Sequence, residues 1–167
     1  MANPYKPLEK HLGYRFRRRR HLELALTHPS YRHETKDVDS DNQRLEFLGD
    51  AALNLVTAAW LYEHRPDDEE GRLTQVRSRV TSTEALGEVA FDIGLGGYLR
   101  LGRGELIAGG ARRAGTLADA IEAVIGAAYV DGGLKAVRRI FERLIVPRIE
   151  KLRLTYSSDN AKGILQE

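Results

Sequence analysis

The chain has 167 residues, 42% of them hydrophobic and 30% charged, which suits one globular domain and excludes a disordered segment. It has no cysteine, so a disulfide scaffold, a thiolate zinc site and a cysteine nucleophile are excluded together. The net charge of +2 does not by itself mark a nucleic-acid binder, yet the charges are segregated: residues 1–20 hold seven Lys and Arg against Glu9, while residues 34–50 hold six acids against Lys36 and Arg44.

Helical signals follow one another along the chain. A first segment, about 5–13, ends at Gly13, and a second runs from Arg19 to His28, where Pro29 follows. The polar stretch Tyr31–Asp41 reads as a loop. A long apolar helix is predicted from Gln43 to His64, stopped by Pro66. Thr74–Val80 and Ser82–Ile93 read as two further helices, with Ser82 as the N-cap of the second. A glycine-rich connector follows, with glycines from Gly94 to Gly115. Thr116–Val130 is another apolar helix, stopped by Asp131-Gly132-Gly133, and Leu134–Leu152 is a last one with Pro147 as a kink. Strand alternation is almost absent, so the expected fold class is all-α. No apolar run reaches the length of a membrane span, and the charged N-terminus lacks the apolar stretch of a signal peptide. A cytoplasmic protein with no membrane partner is the resulting expectation.

Two of these helices carry the candidate chemistry. Over Leu45–Leu61 apolar residues cover most of the circumference, and the polar exceptions Glu46, Asp50, Asn54 and Thr57 fall in one stripe. Over Leu117–Val130 the only charged residues are Asp119 and Glu122, three apart and therefore on one face. Helices apolar nearly all round are expected to be buried, and a buried carboxylate needs an arginine, a raised pKa or a cation. If the two helices are adjacent, the four acids form an oxygen-only cage of the kind that hard cations such as Mg²⁺ and Mn²⁺ prefer. The competing reading pairs each acid with a distant arginine. Two metals in such a cage would clamp the attacking and leaving oxygens of a phosphodiester. A di-iron centre in a helical bundle is the other occupant, but it needs Glu-x-x-His pairs, and no histidine of the chain has glutamate three residues before it. There is no P-loop and no G-x-S-x-G, and Ser30 beside His28 is adjacency in sequence rather than triad geometry.

The residues Asn42-Gln43-Arg44-Leu45-Glu46-Phe47-Leu48-Gly49-Asp50-Ala51-Ala52-Leu53 resemble the signature helix of the ribonuclease III family. Thr27-His28-Pro29-Ser30-Tyr31 resembles the segment upstream of it, and Leu117–Ala127 resembles the second acidic helix of that family. The resemblance spans about residues 5–153 in order and spacing, and the bacterial type with a single catalytic domain is the nearest match. It implies the all-helical, dimeric ribonuclease III endonuclease fold over residues 1–153. It also implies a Mg²⁺-dependent endonuclease, with Mn²⁺ able to substitute. That enzyme would hydrolyse double-stranded RNA to 5′-phosphate and 3′-hydroxyl ends with two-nucleotide 3′ overhangs, in processing ribosomal and other precursor RNAs.

Carried over by motif, Glu46, Asp50, Asp119 and Glu122 hold the metals, and Asp50 and Glu122 are the pair usually regarded as catalytic. Glu70 sits where the family has another acid near the cleft; an ordinary solvated acid is the alternative. Phe47, facing away from the carboxylate stripe, is expected at a homodimer interface, with burial inside one subunit as the alternative. Many bacterial members have glutamate where this chain has Gln43, so Gln43 is expected to contact RNA and not metal. Residues 154–167 read as a linker and the start of a double-stranded RNA-binding domain. Arg17–Arg20, Arg77, Arg79, Arg112 and Arg113 are candidates for phosphate contacts. A non-catalytic scaffold of the same fold, binding RNA or protein, is the competing function, and the acidic quartet weighs against it.

Overall fold

A computed structural model of the chain describes residues 3–152; the expected linker and RNA-binding start at 154–167 lie outside them. Eight α-helices follow in chain order: α1 (Lys6–Leu12), α2 (Arg19–Ala25), α3 (Pro29–Glu34), α4 (Gln43–His64), α5 (Glu70–Val80), α6 (Thr83–Asp92), α7 (Arg103–Ile107) and α8 (Ala114–Leu144). Short 3₁₀ turns cover Leu95–Tyr98 and Gly110–Arg112, and a last helical stretch covers residues 146–152. There is no strand among the described residues; a backbone bridge joins Thr27 to Arg100. The all-α class holds.

Several boundaries follow from local chemistry. Gly13 ends α1 in the left-handed conformation (φ 68°), which glycine adopts without steric cost. The Ser82 side chain accepts from the Ala85 N–H at 3.2 Å and starts α6 as expected. α4 begins at Gln43 and ends at His64, just before Pro66.

Two expectations are corrected. The presumed loop after His28 begins with a helix: Pro29 takes the first position of α3, and the His28 ring Nδ1 accepts from the Ser30 N–H at 3.2 Å. Glu70, not Thr74, opens α5. Asp131-Gly132-Gly133 breaks the helix as expected: Gly133 has non-helical geometry (φ 69°, ψ −166°), so α8 is two helical segments meeting at a kink.

α8 is the central element. Its most extensive contacts are with α4, then with α6 and α2. Between Thr116 and Ala128 almost every residue except Asp119 and Glu122 is buried. Leu22 of α2, Leu53 and Val56 of α4, and Leu86 and Val89 of α6 close around it. Each fully buried leucine of this set contributes about 2 kcal/mol.

The α4–α8 crossing is unusually close. A Cβ at Gly49 would collide with the backbone carbonyl of Glu122, and a Cβ at Gly126 with that of Leu45. Glycine at both positions therefore lets main chain meet main chain, and the carboxylates of both helices lie beside that crossing.

Just before the kink in α8, Asp131 anchors the N-terminal segment with a side chain only 1% exposed. One oxygen accepts from the Tyr14 hydroxyl (2.7 Å) and the Arg17 N–H (2.8 Å); the other accepts from the Arg18 N–H (3.0 Å) and meets His21 Nδ1 (3.1 Å). Burial alone would raise this carboxyl, but those hydrogen bonds outweigh it and hold Asp131 below the usual range. Tyr14 is pushed up to about 12 by burial and by its bond to Asp131.

Candidate metal centre

Glu46 and Asp50 stand one turn apart on α4; Asp119 and Glu122 stand three residues apart on α8. At the glycine crossing Glu46, Asp119 and Glu122 each present a carboxylate oxygen, and the three oxygens lie within 4.8 Å of one another. Glu46 and Glu122 are half-buried, and Asp119 is exposed. Asp50 is exposed and stands outside this trio: its Oδ1 accepts from Asn54 Nδ2 at 2.8 Å, and Asn54 donates also to the Asp50 carbonyl at 3.0 Å. Its charge nevertheless bears on both Glu46 and Glu122.

The arginine alternative fails on geometry. Ion pairs among the described residues lie elsewhere, as in Arg32–Asp41 and Arg148–Asp92, and none includes the four acids. Burial raises three of these carboxyls, and like charge adds to it at Glu46 and Glu122. Glu122 is pushed up to about 7 by burial first and then by Asp50, Glu46 and Asp119. Glu46 is raised by burial, Asp119, Asp41 and Asp50. Asp119 is raised by burial, which His28 partly offsets. An all-carboxylate set without an arginine or lysine ion pair among the described residues fits a hard divalent ion. The trio contains no histidine, which leaves the di-iron reading without its nitrogen ligands.

Residues 19–149 match the family model described as Ribonuclease-III-like. The chain belongs to the ribonuclease III family. It is 52% identical over 131 residues to the Ribonuclease 3 of Syntrophomonas wolfei, covering 78% of this chain and 54% of that protein. To the Ribonuclease 3 of Pseudomonas fluorescens it is 44% identical over 160 residues, covering 96% of this chain and 67% of that one. The chain thus spans about half to two thirds of the length of these relatives. A solved nuclease domain of the Campylobacter jejuni ribonuclease III superposes with a TM-score of 0.78 at 34% identity, over 84% of this chain and 95% of that one; its study concerns flexibility in a region involved in dimer formation.

Other residues singled out from the ribonuclease III motifs are placed as follows. Gln43 is exposed at the first position of α4, where its N–H donates to Asp41 Oδ1 at 3.1 Å. Glu70 is exposed at the start of α5 and accepts from the Thr74 hydroxyl at 3.0 Å. It stands apart from the acidic trio and lines a groove between α4 and α5 with Leu55, Tyr62 and Leu73. Phe47 is 80% exposed, so burial within the subunit is ruled out. It begins an apolar stripe on α4 with Leu55 (56% exposed) and Tyr62 (76%). The expectation that α4 is buried on all sides is corrected accordingly: Leu53, Val56 and Leu61 face the core while Phe47, Leu55 and Tyr62 face outward.

Two neighbours of the site were not singled out for it from sequence. Asp41 adds negative charge at Glu46. His28 lies near Asp119, and its Nδ1 meets the Ser30 hydroxyl at 2.8 Å while that hydroxyl accepts from the Gly102 N–H at 2.9 Å. The His28–Ser30 pair is thus a helix cap. The density of acids in 34–50 was the available signal for Asp41; for His28 it was the Thr27–Tyr31 motif.

Proposed function

We propose that this domain is the catalytic part of a divalent-metal-dependent endonuclease that hydrolyses double-stranded RNA as a homodimer. The observation that carries this is the convergence of Glu46, Asp119 and Glu122 across the glycine crossing, with no arginine or lysine ion-paired to them among the described residues.

Glu46, Asp119 and Glu122 would hold the metal, with Asp50 adding charge and a further carboxylate one turn along α4. When bound, Mg²⁺ or Mn²⁺ supplies Lewis-acid polarisation of the scissile phosphate and eases deprotonation of the water that attacks it. Glu122, whose carboxyl is raised to about 7 by burial and by Asp50, Glu46 and Asp119, would give up its proton on binding a cation. The α4 and α8 backbones hold the acids in place before any ligand arrives, so little reorganisation accompanies loading. Gln43, exposed at the head of α4, adds a hydrogen-bonding group for RNA without adding charge. Glu70 stands apart from the trio, so a contact with RNA would require the substrate to extend to the α4–α5 groove.

The apolar stripe of Phe47, Leu55 and Tyr62 supports the dimer, because single exposed apolar residues are ordinary but an aligned stripe is an interaction face. Two sites related by a two-fold axis would each cut one strand. That gives the 5′-phosphate and 3′-hydroxyl products and the two-nucleotide 3′ overhangs expected of the family, from ribosomal and other precursors in the cytoplasm. No described helix is long and apolar enough to cross a membrane.

The test is incubation of the protein with duplex RNA and Mg²⁺, with Glu122→Gln beside it. Short 5′-phosphorylated products from the wild type and none from the variant are expected. Equal cutting by both would remove Glu122 from the site, and no cutting by either would leave the scaffold reading in its place.

A further inference from the structure

A second charged surface lies away from the acids. Two adjoining open concavities, of about 500 and 370 Å³, share Tyr14 and Arg139 at their border. Three elements supply their rims: Lys6 and Lys10 from α1, Arg15 and Arg17 from the segment before α2, and Lys135 and Arg139 from α8. All six are exposed, and none has an ion-pair partner among the described residues. Arg138 belongs to the same rim and pairs loosely with Glu63 at 3.6 Å. The acids of the rim are Glu9, which is buried and accepts from the Phe16 N–H at 2.9 Å, and Glu142. The surplus on this surface is five positive charges, against +2 for the entire chain.

The cations are also held in place. Residues 14–17 alternate, with Tyr14 and Phe16 buried and Arg15 and Arg17 exposed. Asp131 pins that segment through the Tyr14 hydroxyl and the Arg17 and Arg18 N–H groups. Lys6 and Lys10 are four residues apart on one helix face, as are Lys135 and Arg139. From Glu122 to Gly132, which lines the second concavity just before the kink, the helix axis advances about 15 Å, so the surface is separate from the metal centre.

We propose that this face binds the phosphate backbone of RNA outside the cleavage site and steadies the substrate there. Spread-out, unpaired cations on several elements suit a polyanion better than a small ligand, which would need a closed pocket. The ligand rests on the RNA reading of the preceding subsection; the surface itself does not.

The experiment measures duplex RNA binding in metal-free buffer over a range of salt, for the wild type and for Arg15→Gln/Arg17→Gln/Lys135→Gln/Arg139→Gln. The exchanged side chains are exposed and the Arg17 N–H is retained, so the fold is expected to survive; circular dichroism and melting temperature check this. Lys6→Gln/Lys10→Gln tests the α1 side independently. At low salt the quadruple variant should bind about tenfold or more weakly, with a log–log salt slope shallower by about 2 to 4, since each phosphate contact contributes about 0.9. Unchanged affinity and slope in both variants would overturn the proposal. So would loss of binding to phosphatidylserine vesicles with RNA binding intact, which would make the face a membrane contact. Cleavage with Mg²⁺ is scored separately. A wild type that binds through this face but does not cut would sink the proposed function alone; one that cuts while its variants keep the wild-type salt slope would sink this inference alone.

Discussion

Glu122 is where burial and like charge act together most strongly. Its carboxyl, ordinarily near 4.5, is pushed up to about 7. Between those values the folded, metal-free chain binds more protons than the unfolded one, so unfolding free energy falls as pH rises from about 4.5 to about 7 and levels off above. The melting temperature should decline over that window, and Glu122→Gln should remove much of the decline; an equal slope in the variant would assign it to other groups. Added Mg²⁺ should raise the melting temperature most at and above neutral pH, where the acids are ionised and ready to bind. In RNA cutting, Glu122→Gln should cost more than the 10- to 100-fold typical of losing a supporting group of a metal site, read as single-turnover rate. Asp131 titrates in the opposite sense. Its carboxyl is held low, so its contribution is present above its ordinary 3.8 and is lost as pH falls below that. Asp131→Ala should destabilise the chain by about 2–4 kcal/mol in chemical denaturation, because it orphans the Tyr14 hydroxyl and two backbone N–H groups at once. The four acids were legible in sequence because each pair stands nearly alone on an apolar helix. The departure of Asp50 toward Asn54 was not, since a choice between two hydrogen-bonding directions is made by side-chain geometry.

At the scale of helices, the glycine crossing decides the site. Gly49→Ala or Gly126→Ala would press a methyl group into the opposing main chain, which cannot swing aside as a side chain would. Each should cost about 3 kcal/mol or more, measurable by denaturant unfolding, and should weaken metal binding in isothermal titration by parting the carboxylates. A variant that keeps wild-type stability and affinity would show that the helices do not rely on this contact. The sequence made α4 legible from Gln43 to His64 because apolar periodicity, a polar start and Pro66 agree. It hid α3, whose start depends on a histidine ring capping Ser30. The break at Asp131-Gly132-Gly133 was legible from its glycines, and Gly133 leaves helical geometry there. The engagement of Asp131 by the N-terminal segment was not, because it joins residues more than a hundred positions apart. The exposure of Leu55 and Tyr62 was not legible, because composition counts apolar residues without saying what covers them; Phe47 was expected at an outward interface from the family resemblance.

For the whole molecule, the exposed Phe47, Leu55 and Tyr62 call for a second surface. Phe47→Glu should shift the protein to monomer in sedimentation velocity and lower cutting of long duplexes, while leaving the helical dichroism intact; a dimer that survives would move the interface elsewhere. Charge is distributed to match: acids gather where α4 meets α8, and cations gather at the far end of α8. The crossing that joins the acids has one more consequence. Because the two helices touch through bare peptide units, the gauge of the site is the thickness of a polypeptide backbone, a quantity set by the glycines and not by the neighbouring aliphatic residues. Drift among the leucines and valines farther along the same pair of helices can therefore soften or harden the protein while the spacing offered to an ion stays calibrated.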